Sequence, residues 1–104
     1  MIFVDGLELR AAIWGDAEVS HLVSDTDVGE LKAFAERLGM PLYWLQMFPV
    51  PHYELSEAWR RRALKAGAVD CAGDRAEEYR CALRRYLDRN LPVPVRPAGR
   101  SRRG

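Results

Sequence analysis

Residues 18–90 alternate short β-favouring runs with segments of helical periodicity. Residues 19–24 and 68–71 have the length and composition of strands, and each run is followed by a helical pattern. Because neighbouring parallel strands need helical crossovers, this alternation is typical of a sheet that is parallel in part. We therefore predict an α/β fold with a small three- to four-stranded, partly parallel sheet and two to three helices.

Three further segments have strand-like composition. Residues 1–4 favour a strand that stops at the turn-forming pair Asp5-Gly6. Residues 11–14 predict another short strand. Residues 42–46 are rich in aromatic residues and have strand length, and prolines then interrupt regular structure over residues 48–51.

Helix start and stop signals are clear in the same region. Asp27 and Glu30 resemble a capping box, and Gly39 follows the apolar stripe of the first helix as a stop signal. Ser56 is suited to cap a second helix. Gly73-Asp74 precedes a third helix, which extends to about residue 90.

A chain of 104 residues can bury one modest core, so we predict one domain over residues 1–90. Residues 91–104 are rich in proline and arginine and predict a flexible basic tail. No stretch has the roughly 20 apolar residues of a membrane span, and we expect a cytoplasmic protein without membrane contact. Cys71 and Cys81 lack metal-binding spacing and are expected to be reduced thiols.

The net charge of +1 conceals two oppositely charged halves. Residues 1–55 hold nine acidic and three basic side chains, whereas residues 56–104 hold six acidic and thirteen basic ones. This asymmetry is compatible with attraction between faces of one molecule, with a homo-oligomer that joins unlike halves, and with an anionic partner on the basic side.

Several polar residues fall at predicted strand ends. Asp5, Asp25 and Gln46 lie at or near the ends of strands, while His52 and Tyr53 are on the loop that follows the last of these strands. In open α/β sheets ligands bind beyond the carboxyl ends of strands, so these residues predict a polar pocket. The same types of residue also serve structure alone, because Asp25 can start a helix and Asp5 can form a turn.

The two histidines suggest acid–base chemistry, because imidazole changes its charge near neutral pH. We predict His21 or His52 as the acid or base, Asp25 as the carboxylate that orients it, and Gln46 or Tyr53 as a ligand contact. Alternatively, His21 has a purely structural role as a hydrogen-bonded residue of the core. A divalent metal is conceivable but is not favoured, since the histidines lack a recognisable ligand spacing.

These residues suggest a pocket for a small phosphate-containing or nucleotide-like ligand, with Arg61 or Arg62 supplying positive charge. If the protein is an enzyme, the expected reaction is hydrolysis. The alternative is a non-enzymatic module whose basic half binds nucleic acid or an acidic protein. No phosphate-binding glycine loop and no Gly-x-Ser-x-Gly motif occurs in the sequence, so familiar catalytic classes lack support.

Five separated segments resemble a family of short bacterial and phage proteins known as domain of unknown function 4031. They are residues 1–5, 21–26, 31–40, 44–46 and 51–55, which read MIFVD, HLVSDT, LKAFAERLGM, WLQ and PHYEL. The resemblance covers about residues 1–70 and implies a polar site without naming a substrate. Such proteins often have paired aspartates after the first strand and a longer insert before the His-Tyr motif. Here Asp5 is followed by Gly6, and the insert is residues 47–50.

Overall fold

Residues 1–12 and 15–91 are described by the computed structural model, and these residues form five strands and three α-helices. The strands are β1 (Ile2–Asp5), β2 (Glu8–Ala12), β3 (Gly15–Ser24), β4 (Tyr53–Leu55) and β5 (Val69–Cys71). The helices are α1 (Val28–Leu38), α2 (Glu57–Lys65) and α3 (Ala76–Asn90), and 3-10 turns occupy Leu42–Trp44 and Gly73–Arg75. The predicted α/β class is confirmed, with one strand more than the expected upper number.

The long strand β3 is the centre of the sheet. Its residue Leu22 faces Val4 of β1 on one side and Tyr53 of β4 on the other. Strand β2 pairs with the first half of β3, and β5 pairs with β1. Among the described residues the pair β1–β5 is parallel and the other three pairs are antiparallel. The parallel part is therefore smaller than the alternating pattern suggested.

A β-bulge separates β1 from β2 opposite His21. Val4 faces Leu22 and Glu8 faces Val19, so four steps along β1 and β2 match three steps along β3. The extra residue interrupts the ladder of backbone hydrogen bonds at this point. Asp5 occupies the interruption, and its carboxylate accepts the His21 backbone N–H at 2.5 Å. A side chain thus replaces a backbone acceptor at the residue where the predicted site begins.

Helices cover both faces of the sheet. Helices α1 and α2 pack on the face that carries Val4 and Leu22. On the other face α3 places Ala82 against Phe3 and Val23. Because side chains alternate along a strand, His21 shares the α3 face with Val23. The side chain of His21 therefore lies on the side of the sheet that α3 covers.

The cap signals of the first two helices are confirmed, whereas Gly73-Asp74 belong to a 3-10 turn and α3 begins at Ala76. Asp27 accepts the backbone N–H of Glu30 at 2.8 Å, and Gly39 ends α1 in the left-handed region at φ 87°. Ser56 accepts the N–H of Trp59 at the start of α2. These signals act within one helical turn, which is why they can be interpreted without knowledge of the fold.

The predicted strand over residues 42–46 is wrong. Leu42–Trp44 form a 3-10 turn, and Gln46 makes a single antiparallel bridge with His52. Prolines at positions 41, 49 and 51 remove backbone donors around this segment, so it cannot extend into a strand. Residues 11–12 of the predicted strand over 11–14 belong to β2, and residues 13–14 lie outside the described residues. Residues 92–104 of the predicted tail also lie outside them.

Within the described part of the chain, no helix combines the length and the apolar character that crossing a bilayer would require. Cys71 and Cys81 are both free thiols.

Candidate active site

A cleft of about 370 Å³ opens on the α3 face of the sheet. Its polar lining comes from Asp5, His21, Gln46, His52, Glu54 and Tyr79. Its apolar lining comes from Phe48, Pro49, Val50 and Leu83. Four of the residues predicted from sequence, Asp5, His21, Gln46 and His52, therefore meet at one cleft.

His21 is held by Asp5 at two points. The carboxylate accepts the His21 backbone N–H through one oxygen and lies 3.0 Å from the ring Nδ1 through the other. Both side chains are largely buried, with 13% of His21 and 20% of Asp5 exposed. A carboxylate at Nδ1 favours the tautomer with hydrogen there, so Nε2 is the atom that His21 can offer to a ligand.

His52 is held by backbone alone. Its Nδ1 donates to the carbonyl oxygen of Val50 at 2.8 Å, because a carbonyl can only accept. Its main chain forms both hydrogen bonds of the bridge with Gln46, at 2.8 and 2.9 Å. The centroids of the His21 and His52 rings are 5.5 Å apart. Two imidazoles with engaged Nδ1 atoms thus lie side by side in the cleft.

Two polar atoms in the lining are buried without a hydrogen-bond partner, namely Gln46 Nε2 and Glu54 Oε1. An unsatisfied buried polar group costs roughly 1–3 kcal/mol, so a ligand that paired with these atoms would recover that cost. Glu54 was not among the predicted residues. It lies directly opposite His21 in the β3–β4 pair and two residues after His52, so strand alternation from His52 is the signal that could have found it.

Asp25 lies elsewhere, and the carboxylate that orients His21 is Asp5. Asp25 accepts hydrogen bonds from the Met1 amino group at 2.8 Å, from Thr26 at 3.0 Å and from Arg85 at 3.0 Å. Burial raises the pKa of Asp25, but the hydrogen bonds from the amino group, Arg85 and Thr26 outweigh burial and lower it to about 2. Asp25 thereby ties α3 to the end of β3.

Asp25 should make stability depend on pH below about 4. Its pKa falls from 3.8 to about 2 on folding, so its contribution is complete above pH 4 and disappears as the pH falls through 2. We expect Asp25→Asn to lower the free energy of unfolding by about 2 kcal/mol at pH 7, and by much less at pH 2. Urea unfolding at both pH values measures this difference. Asp88→Asn, at an exposed position, is the matched control, and equal losses in the two variants would contradict the assignment.

Tyr53 is buried on the opposite face of the sheet, since its neighbours His52 and Glu54 both point to the cleft. It belongs to the core beneath α1 and α2, and burial raises the pKa of its phenol. The sequence prediction of Tyr53 as a contact in the same pocket as His52 is therefore not met. Strand alternation prevents consecutive residues from sharing a face.

Arg61 and Arg62 also lie away from the cleft, on α2. Arg61 pairs with Glu57 at 3.0 Å, and the guanidinium of Arg62 lies 4.6 Å from the Trp59 ring centroid. Their neighbour Arg60 is also outside the lining of the cleft but contacts the end of β1. Its guanidinium donates to the Asp5 carbonyl at 2.9 Å and to Asp70 at 2.6 Å, which fixes the end of β1.

The lining of the cleft is acidic in formal charge. It contains the carboxylates of Asp5 and Glu54, and the lining residues of the described chain include neither lysine nor arginine. Any positive charge at this site must therefore come from the imidazoles or from a bound cation.

Comparison with known protein families agrees with this arrangement of motifs. The profile of one family, described as protein of unknown function (DUF4031), matches residues 2–84. The chain belongs to this family. The match extends past the resemblance in residues 1–70 and includes the first part of α3, so Tyr79 and Leu83 of the cleft lie inside it. No curated protein and no solved structure is detectably similar to this DUF4031 chain.

Proposed function

We propose that the cleft binds a phosphate-containing or nucleotide-like ligand and that the protein hydrolyses it. The observation that carries the proposal is the meeting of two imidazoles, each held at Nδ1, beside a carboxylate oxygen that lacks a partner. In this arrangement the phosphoryl end of the ligand lies at the Nε2 edges of His21 and His52, where a ring in its imidazolium form donates its Nε2–H to a phosphoryl oxygen. The exposed ring of Phe48 at the mouth of the cleft is available to stack on a base.

Hydrolysis of a phosphate ester needs a water molecule that attacks phosphorus and loses a proton to a base. We assign Glu54 as the base, because its Oε1 is buried in the lining without a hydrogen-bond partner and so has a free lone pair. The P–O bond to the leaving group breaks, and the leaving oxygen takes a proton from water at the open mouth. Gln46 Nε2 is an unpaired donor that can hold a phosphoryl oxygen.

The rival proposal, a nucleic-acid or acidic-protein binding surface on the basic half, has less support. Six arginines of that half already form ion pairs with carboxylates: Arg60, Arg61, Arg75, Arg80, Arg85 and Arg89. Charge that is compensated within the molecule contributes less to attraction of phosphate backbones. The unpaired polar atoms of the cleft favour a ligand there instead.

A double variant separates the two proposals. We expect His21→Ala with His52→Ala to weaken binding of nucleoside phosphates and p-nitrophenyl phosphate at least tenfold in calorimetry. Arg61→Ala with Arg62→Ala is the matched control and should bind as the parent does, because these arginines lie outside the cleft. Thermal unfolding checks that all proteins fold.

Retained binding in the histidine variant would overturn the cleft proposal, as would a complete lack of binding across the panel. Loss of binding in the arginine variant, with an affinity that falls steeply as salt rises, would favour the rival.

A further inference from the structure

We infer that the Nε2 atoms of His21 and His52 together bind one divalent transition-metal ion. The site itself is argued from geometry, whereas its role in phosphate binding rests on the proposed function. The ion would supply the positive charge that the lining of the cleft lacks.

The contacts of both rings are those of metal-ligating histidines. Such histidines almost always donate the second ring N–H to a carboxylate or a backbone carbonyl, which fixes the tautomer and makes the ligating nitrogen more basic. His21 has the Asp5 carboxylate at 3.0 Å from Nδ1, and His52 has the Val50 carbonyl at 2.8 Å. Each ring is thus prepared to bind through Nε2.

The spacing of the rings agrees with a shared ion. Two imidazoles that bind one tetrahedral ion at about 2.1 Å have ring centroids roughly 5 Å apart. The observed separation is 5.5 Å with the ring planes inclined by 59°. The separation of the two rings is therefore close to the one that a shared ion requires.

The protein ligands of the ion would be these two imidazole nitrogens. Among the described residues no three histidine, cysteine, aspartate or glutamate side chains form a ready metal-binding group, and both Asp5 oxygens already contact His21. Water and phosphoryl oxygens of the ligand would complete the coordination, as they do at the open positions of catalytic zinc sites. Imidazole suits zinc, nickel and copper, whereas Mg²⁺ prefers oxygen, so the inferred ion is of the zinc type.

The charge of the cleft supports the same ion. Asp5 and Glu54 would repel a phosphate group, and the lining described above has no basic side chain that offsets them. A dication at the Nε2 atoms would offset this repulsion. It also acidifies a bound water, which eases proton loss to Glu54.

Titration of the full chain with Zn²⁺ and with Mg²⁺ tests the inference. We expect one Zn²⁺ per chain by calorimetry, no Mg²⁺ at the same concentrations, and at least a tenfold loss of Zn²⁺ affinity in His21→Ala and in His52→Ala. Cys81→Ser and Glu57→Gln are the controls, and both should keep Zn²⁺ affinity within about threefold, because neither residue lines the cleft. Nitrogen NMR of the imidazoles should show that Zn²⁺ shifts the Nε2 resonances of two rings.

Equal Zn²⁺ binding in the parent and in both histidine variants, or no binding at all, would overturn the metal site. Phosphate-ligand binding by zinc-free protein would then leave the proposed function standing. Conversely, a protein that binds Zn²⁺ through both histidines but binds none of the phosphate ligands would support the metal site and overturn the proposed function.

Discussion

Glu54→Gln is expected to lower the turnover of p-nitrophenyl phosphate or a responsive nucleotide by at least about 100-fold, the usual contribution of a general base. Glutamine keeps the size of the side chain but cannot take a proton from water. The Michaelis constant should change by less than about threefold or fall, because removal of a negative charge favours a phosphate ligand. Steady-state kinetics separates the effect on the turnover number from the effect on the Michaelis constant.

Glu57→Gln is the matched control for this experiment. Glu57 is exposed at the start of α2, where its partner is Arg61. This variant should retain the turnover of the parent protein. Full turnover in Glu54→Gln would remove Glu54 as the base, while an unchanged melting temperature would show that the comparison concerns the site and not the fold.

Leu22→Ala is expected to lower the free energy of unfolding by about 3 kcal/mol, which is typical of a fully buried leucine. Leu22 is fully buried in the core beneath α1 and α2, and it pairs with β1 and β4 at once. Truncation leaves a cavity at the junction of three strands. Chemical denaturation measures the loss, and the melting temperature should fall by about 12–20 °C.

Leu9→Ala is the control for this substitution. Its side chain is 76% exposed, so the loss should stay below about 0.5 kcal/mol. A loss below 1 kcal/mol in Leu22→Ala would mean that the three strands do not meet around this residue. Because the cleft lies on the other face, ligand binding by the folded fraction of Leu22→Ala should resemble that of the parent.

Much of the local structure could be predicted because its signals act over a few residues. The caps at Asp27, Gly39 and Ser56 satisfy backbone groups within one turn of their own helices. The prediction of a strand over residues 42–46 was wrong for a related reason. The aromatic residues of this segment favour a strand, but the prolines around it lack the backbone N–H donors that strand pairing requires.

The candidate site was predicted in part. Asp5, His21, Gln46 and His52 converge in the cleft, whereas Asp25 follows β3 and belongs to an ion-pair cluster. Both aspartates follow strands in the sequence and look equivalent there. They differ because the β-bulge turns Asp5 toward His21, and a bulge depends on the register between strands.

Residue types and local spacing were enough to predict the α/β class, both ends of α1, the start of α2 and the candidacy of His21 and His52 for a polar site. Tertiary structure alone determined which face each side chain occupies, and thereby placed Glu54 in the cleft and Tyr53 in the core. The physical reason is strand pairing. A shift of one residue in register moves a side chain through the sheet, and that register is set by contacts between segments distant in the sequence.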